Sequence, residues 1–502
     1  MVQKKFIMLR KTRIILAAIF FVGITLLFLD FTGTLHTWFG WMAKVQLLPA
    51  FLALNTGIVC VLALLTLLFG RLYCSVICPL GVMQDIFAWL GKKAKKNRYS
   101  YSPEKKWLRY IMLVLFIISL LVGGGVLAQL LAPYSAYGRI ANNLLAPLWQ
   151  WGNNGLAYLA ERADSYAFYE TDVWIKSGIT FGIAVATLLI IGILAWRGGR
   201  TYCNTICPVG TVLSFISRFS WLKPVIDTSK CNGCGLCARN CKAACINSKE
   251  HSIDYSRCVA CMDCIGSCKK GAISYVHRPF KATSTEEAQT QPVDTSRRSF
   301  LTTTAVVAAT TAIKAQEKKV DGGLAVIEDK VAPERQTHLV PPGALSARNF
   351  AQHCTACQLC VSACPNGVLT PSTTLTRLMQ PEMTYERGYC RPECTKCSDV
   401  CPTGAIRPIT REDKSSTQIG HAVWIKKNCI PLTNGDSCGN CARHCPTGAI
   451  QMVPSEEDNR RSPRIPVINV ERCIGCGACE NLCPARPFSA IYVEGHERHK
   501  EV

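Results

Sequence analysis

A four-helix transmembrane bundle built as a two-plus-two repeat, followed by two cysteine-rich α+β modules, is the fold class that three observations predict. Four long apolar stretches, charged only at Asp30, all lie before about Trp196, a Cys-x-x-x-Cys-Pro element follows two of them, and 24 of the 30 cysteines fall into six sets of four. At about 150 residues per domain, 502 residues make three or four units. The mean hydropathy of +0.16 therefore averages an apolar front and a polar remainder. Formal charge is +22, and residues 1–230 carry 23 Lys/Arg against 8 Asp/Glu. Positive charge concentrated in the hydrophobic part speaks for membrane topology and against nucleic acid as a partner.

The membrane domain is assigned to residues 1–225. Its apolar stretches run from Ile14 to Phe31, Leu47 to Phe69, Tyr110 to Leu131 and Gly178 to Trp196. Each approaches the roughly 20 helical residues that cross a bilayer. Lys4, Lys5, Arg10, Lys11 and Arg13 precede the first, and nine Lys/Arg against two acids lie between Arg71 and Arg109. Both segments are expected on the cytoplasmic side, with Ala132 to Lys176 on the far side. The lysines at 92, 93, 95 and 96 would meet anionic lipid.

The exits of the second and fourth stretches repeat each other: Gly70-Arg-Leu-Tyr-Cys74-Ser-Val-Ile-Cys78-Pro79-Leu-Gly81 against Gly199-Arg-Thr-Tyr-Cys203-Asn-Thr-Ile-Cys207-Pro208-Val-Gly210. Such a duplication predicts a pseudo-twofold axis about which Cys74, Cys78, Cys203 and Cys207 converge. These four are the candidate catalytic residues, as a four-thiolate metal site, a redox thiol pair, quinone-pocket lining or a structural cluster. The metal site is the leading expectation. Cys60, alone in mid-span, reads as a small apolar residue. No histidine falls inside a span and Cys-x-x-Cys-His is absent, so haem is not expected. Nor is flavin, since no phosphate-cradling glycine loop is found. The run of three glycines from 123 to 125 reads as close helix packing.

Residues 226–280 contain Cys231-x-x-Cys234-x-x-Cys237-x-x-x-Cys241 and Cys258-x-x-Cys261-x-x-Cys264-x-x-x-Cys268. This is the spacing of a ferredoxin-like domain with two [4Fe–4S] clusters, in which three close thiolates wrap one cluster and the fourth ligates the other. The expected groups are Cys231, Cys234, Cys237 with Cys268, and Cys258, Cys261, Cys264 with Cys241. Lys242 and Lys269 stand where proline is usual, and nearby Cys245 competes with Cys241 as ligand. Structural zinc is the weaker alternative, because its ligands come as separated pairs.

Residues 281–345 read as a linker holding an internal twin-arginine export signal, Ser296-Arg297-Arg298-Ser299-Phe300-Leu301, followed by a weakly apolar run to Ile313. Everything beyond is expected outside the cytoplasm, tethered or released by cleavage near Ala315. Residues 346–502 carry four sets: Cys354, Cys357, Cys360, Cys364; Cys390, Cys394, Cys397, Cys401; Cys429, Cys438, Cys441, Cys445; and Cys473, Cys476, Cys479, Cys483, each closing with Cys-Pro. Disulfides would not space so regularly. Six [4Fe–4S] clusters are expected in all, removing about twelve charges from the formal +22. His353 and His444 adjoin ligands and are read as field-tuning or surface groups.

Arg13 to His277 resembles NapH, the membrane ferredoxin of periplasmic nitrate reduction, and its NosR-like relatives. Ser296 to about Val493 resembles NapG. The chain looks like a natural fusion of the two. The resemblance implies a quinol dehydrogenase component of the bacterial inner membrane, multi-pass, with its first ferredoxin domain cytoplasmic and its second periplasmic. Menaquinol would be the substrate, and the partners would be membrane lipid, the quinone pool and a periplasmic reductase, nitrate reductase first. The rival is an assembly or maintenance factor that reduces a metal centre of another enzyme, and reverse flow, from a cytoplasmic donor to quinone, is a third reading. Resemblance to four-cluster electron-transfer subunits implies that the first and last sets of the exported domain exchange their final cysteine, and the middle two likewise. Tyr134, Ser135 and Arg139 are the candidate quinone residues.

Overall fold

A computed structural model describes residues 2–94, 99–122, 125–277, 328–456, 459 and 462–501. The twin-arginine segment and its cleavage point lie outside these residues. Among the described residues two helices are long and apolar enough to cross a membrane, the first helix, Val2–Leu29, over its part Met8–Leu29, and Gly178–Gly198.

The other two expected spans are each broken, which corrects the reading of four continuous helices. Leu47–Leu52 is followed by a turn at Leu54, whose φ is 54°, and Thr56–Phe69 starts afresh. The reason is Asn55, whose side-chain oxygen accepts from the Ile58 amide at 3.2 Å and caps the new helix. Lys106–Leu121 and Val126–Leu131 are parted around Gly125. There the Ser119 hydroxyl donates to the Gly125 carbonyl and accepts from the Ala128 amide, so the break leaves these groups satisfied.

The segment after the third apolar stretch, expected on the far side, is helical and packed inside. All eight residues of Pro133–Ile140 are buried, and a π-helical turn at Ala141–Leu145 leads into Ala146–Arg162. Proline at the first helical position starts it, since the missing amide would be unbonded there in any case.

In the first cysteine module, Leu222–Ile226 pairs antiparallel with Ile273–His277, Pro224 facing Tyr275. A small pair, Ile246–Asn247 with Ser252–Ile253, lies between. The second module is held by three antiparallel pairs: Leu369–Pro371 with Pro381–Met383, Ile450–Pro454 with Arg464–Ile468, and Thr417–Trp424 with Ile491–Glu501. It begins ahead of position 346: Leu339 and Val340 are buried, and Arg335 pairs with buried Glu480 at 2.5 Å.

The first helix touches both modules, at opposite ends. Arg10 pairs with Asp263 of the first module at 2.8 Å. Past the other end, the Thr32 carbonyl accepts from Lys396 of the second at 3.0 Å. Arg10 and Leu29 are separated by about 29 Å of helix at 1.5 Å per residue, close to the roughly 30 Å of a bilayer's hydrocarbon core.

Candidate metal centres

Four of the six sets contain an unbroken Cys-x-x-Cys-x-x-Cys, and all four fold into the same loop. The residues two and four after the first cysteine have positive φ in each: Gly233 and Gly235, Ala260 and Met262, Ala356 and Gln358, Gly475 and Gly477. Alanine, methionine and glutamine tolerate this conformation poorly. Its use at every loop shows that the winding is required by what the loop encloses. Such winding turns successive amides inward as an anion-binding nest, and the Ala356 amide reaches the Cys354 sulfur at 3.4 Å. The closing cysteine shares a second device, a positive φ three residues later at Ala244, Gly271, Gly367, Gly404 and Gly448. That turn brings the Ala272 and Ala449 amides to 3.2 and 3.3 Å from the Cys268 and Cys445 sulfurs.

Cys231, Cys234, Cys237 and Cys268 line one cavity, and Cys258, Cys261, Cys264 and Cys241 another, which also admits Cys245. The turn at Ala244 gives Cys241 the local geometry of the other closing cysteines. The Cys245 thiol stands 3.5 Å from that of Cys241. Lysine in proline's place also has a reason. Lys242 reaches Asp85 of the bundle at 3.3 Å and Asp263 of its own module at 3.0 Å, fastening one to the other.

In the second module the cysteines exchange between neighbours in sequence, which corrects the expected exchange between first and last sets. Cys364 joins Cys390, Cys394 and Cys397 around one cavity, and Cys483 joins Cys429, Cys438 and Cys441 around another. Reciprocally, Cys401 lies within electrostatic range of Cys354, Cys357 and Cys360, and Cys445 of Cys473 and Cys476. The hairpins explain it: Leu369–Pro371 with Pro381–Met383 returns the chain to the set it has just left, and Ile450–Pro454 with Arg464–Ile468 does the same for the later pair. Among the described residues no three His, Cys, Asp or Glu side chains are grouped to hold one metal ion. Thiolates at the corners of a cluster stand farther apart than around a single ion, so the lined cavities and inward amides fit clusters. Bound there, a cluster supplies one-electron oxidation and reduction. The chain's part is to hold it, shield it and set its field.

The two Cys-x-x-x-Cys-Pro elements meet inside the bundle, and Cys74, Cys78, Cys203 and Cys207 are all buried. The repeat is reproduced as crossed contacts. Arg71 of the first element donates to the Cys203 carbonyl of the second at 3.1 Å, and Arg200 of the second to the Cys74 carbonyl of the first at 2.6 Å. Gly81 and Gly210 leave room for this. A Cβ at either would overlap the Cys74 or Cys203 carbonyl and sit 2.7 Å from the Arg200 or Arg71 guanidinium. Gly81→Ala and Gly210→Ala are therefore each expected to open the clamp, costing about 1–3 kcal/mol by overpacking. A matched drop in thermal midpoint for the two, measured in detergent, checks the symmetry.

Tyr134, Ser135 and Arg139 are buried, not in a surface loop. The Tyr134 and Ser135 hydroxyls and the Arg139 Nε and Nη2 have no hydrogen-bond partner among the described residues. Tyr134 lies near Cys357 and Cys401. Among the described residues His353 and His444 bond backbone carbonyls one turn back, those of Asn349 and Asn440. Sequence reasoning missed Asp85 and Lys414. Buried Lys414 donates to the carbonyls of Arg391 and Cys394 beside the Cys390 cavity. No sequence signal marked it, whereas Asp85 stood out as one of two acids in a basic segment.

Residues 53–98 and 179–226 match the family model of a 4Fe-4S binding domain, and residues 353–419 and 436–486 that of a 4Fe-4S dicluster domain. The methylamine utilization ferredoxin-type protein MauM of Methylobacillus flagellatus is 32% identical over 165 residues, covering 32% of this chain and 70% of its own. The ferredoxin-type protein NapG of Escherichia coli is 32% identical over 177 residues, 32% of this chain and 75% of its own. The ferredoxin-type protein NapF of the same species is 28% identical over 157 residues, 31% of this chain and 86% of its own. No solved structure matches the chain. With cluster loops, exchanged cysteines and relatives in agreement, the chain belongs to the NapG- and MauM-like family of ferredoxin-type iron–sulfur electron-transfer proteins.

Proposed function

We propose that this is a multi-pass membrane protein that oxidises menaquinol at its bundle and passes the electrons through the second module to a soluble reductase, nitrate reductase being the first candidate. One observation carries the reading: the cage of Cys354, Cys357, Cys360 and Cys401 is seated directly on the buried helix Pro133–Ile140. A Cβ at Gly138 would overlap the Cys357 carbonyl, and Asn143 donates to Gln358 at 2.9 Å. The unpartnered hydroxyls of Tyr134 and Ser135 and the Arg139 guanidinium therefore lie between bundle and cage. Buried donors without partners are costly, and a quinol head group would satisfy them within reach of the first electron acceptor.

The basic flanks put the amino terminus and first module in the cytoplasm, and the twin-arginine segment puts the second in the periplasm of a bacterial inner membrane. Oxidation of one quinol releases two protons and two electrons, the latter taken one at a time. Lys414 and the inward amides hold negative charge as they arrive.

The test is anaerobic mixing of the purified, detergent-solubilised chain with a menaquinol analogue, followed by low-temperature EPR. Reduced-cluster signals are expected promptly, and Arg139→Ala should slow their appearance at least tenfold. Clusters that dithionite reduces and quinol does not would overturn the reading in favour of enzyme maturation or reverse flow.

A further inference from the structure

We infer that Cys74, Cys78, Cys203 and Cys207 together hold one iron–sulfur centre, half from each repeat, which relays electrons between the two modules through the bundle. This rests on the membrane-spanning part of the reading above, not on quinol as donor.

The first argument is stoichiometric. Segments 53–98 and 179–226 each match a 4Fe-4S binding domain, yet each supplies only one Cys-x-x-x-Cys pair, the first adding Cys60, which is exposed. Neither half can complete four-thiolate ligation. The crossed Arg71 and Arg200 contacts bring the halves together with all four cysteines inside.

The second argument is charge. Arg71 is fully buried, and its partners are the Asn204 side-chain oxygen at 2.9 Å, the carbonyls of Ser256 and Cys203 at 3.1 Å each, and the Cys74 sulfur at 3.9 Å. Among the described residues no carboxylate is one of them, and its Nε has no partner. A buried cation without an anion costs several kcal/mol. Four thiolates around an oxidised iron–sulfur core carry about two negative charges and would provide that anion. Other donors already point at the sulfurs. Gln84 Nε2 is 3.3 Å from Cys203 and the Gly210 amide 3.4 Å from Cys207. Donors to sulfur favour the ligated, anionic form. A purely structural cluster of thiols would leave Arg71 only the more distant charge of the first module's cluster, beyond Ser256 at Cys258.

The third argument is position. On one side, Arg71 bonds Ser256 and lies within electrostatic range of Cys258, a ligand of the first module. On the other, Tyr202, next to Cys203, donates to the Leu131 carbonyl at 3.1 Å. Arg139 lies within range of both Tyr202 and Cys357. The four cysteines thus stand between the nearest cages of the two modules. In each relay step one electron leaves a reduced centre and one oxidised neighbour gains it, with no bond made or broken.

Two measurements test this without quinol. Iron and acid-labile sulfide of the anaerobically purified full chain should exceed the roughly 24 iron of six cubanes by about two to four. The excess should vanish in a Cys74→Ser, Cys203→Ser double variant that keeps six-cluster EPR, and persist in Cys60→Ser. Wild-type iron at or below 24 overturns the centre, even where the double variant fails to fold. In proteoliposomes without quinone, external dithionite, which crosses lipid slowly, should reduce the clusters of both modules in wild type. The double variant should reduce only those facing outward. Wild-type reduction confined to one module would overturn the relay while leaving quinol oxidation to be judged by its own experiment.

Discussion

Replacing Asp85 with alanine is expected to detach the first cysteine module from the bundle. Asp85 receives Arg200 at 2.9 Å, Lys242 at 3.3 Å and Arg13 at 3.4 Å. Three cations, from the turn after Gly178–Gly198, the first module and the first helix, therefore share one carboxylate. Burial opposes its ionisation, but Arg200, Lys242 and Arg13 outweigh burial and hold the carboxyl far below the ordinary range. Its removal leaves Arg200, which is fully buried, without an acid. Breaking a buried pair from one side costs about 3–5 kcal/mol. Asp85→Asn, which keeps hydrogen bonding but not charge, should fall between. Arg10→Ala, at a pair whose arginine is 46% exposed, should cost under about 1 kcal/mol.

The measurement is the thermal midpoint in detergent together with protease cleavage between Ser220 and Lys230. The expected order of loss is Asp85→Ala, then Asp85→Asn, then Arg10→Ala. Because the folded pKa is depressed, the contribution of Asp85 is complete above its unfolded value of about 4 and fades only as pH falls through the lower folded value. Titration from pH 7 to 5 should therefore leave the junction intact, and loosening in that range would sink the assignment.

This junction marks where the sequence stops being legible. The cysteine sets, their loops and the duplicated Cys-Pro elements could be read directly, because ligand spacing is local and repeats announce themselves. Lys242 in proline's place looked like a defect in a motif until its long-range partners were visible. The broken spans were hidden for a different reason. Hydropathy averages over a window, whereas a helix is ended by one residue such as Asn55 or Ser119 whose hydrogen bonds free the backbone to turn. Pro133–Ile140 misled by composition: Tyr, Ser, Gly and Arg suggest a surface loop, but this helix is walled by the first helix and the second module.

The exchange of cysteines carries the second large effect, and it was wrongly inferred from resemblance because which sets lie side by side depends on hairpins rather than spacing. If Cys360 and Cys401 hold the same cluster, Cys360→Ala with Cys401→Ala removes one cluster, about four iron. Cys397→Ala with Cys401→Ala strikes two cages and removes about eight. Exchange between the first and last sets would instead make Cys360→Ala with Cys483→Ala the pair that loses a single cluster. Iron content and spin quantitation by EPR separate the two patterns. The outcome also orders the electron path. Cys360 lies within range of Cys397, the Cys390 amide bonds the Cys476 carbonyl at 2.9 Å, and Cys479 lies within range of Cys441. Neighbour exchange thus strings four cages in one line, from the one seated on Pro133–Ile140, through those of Cys390 and Cys473, to that of Cys429. Electrons would then leave at the last, so blocking the Cys429 cage, by Cys438→Ala with Cys441→Ala, should stop delivery to a soluble acceptor while the other three clusters still fill.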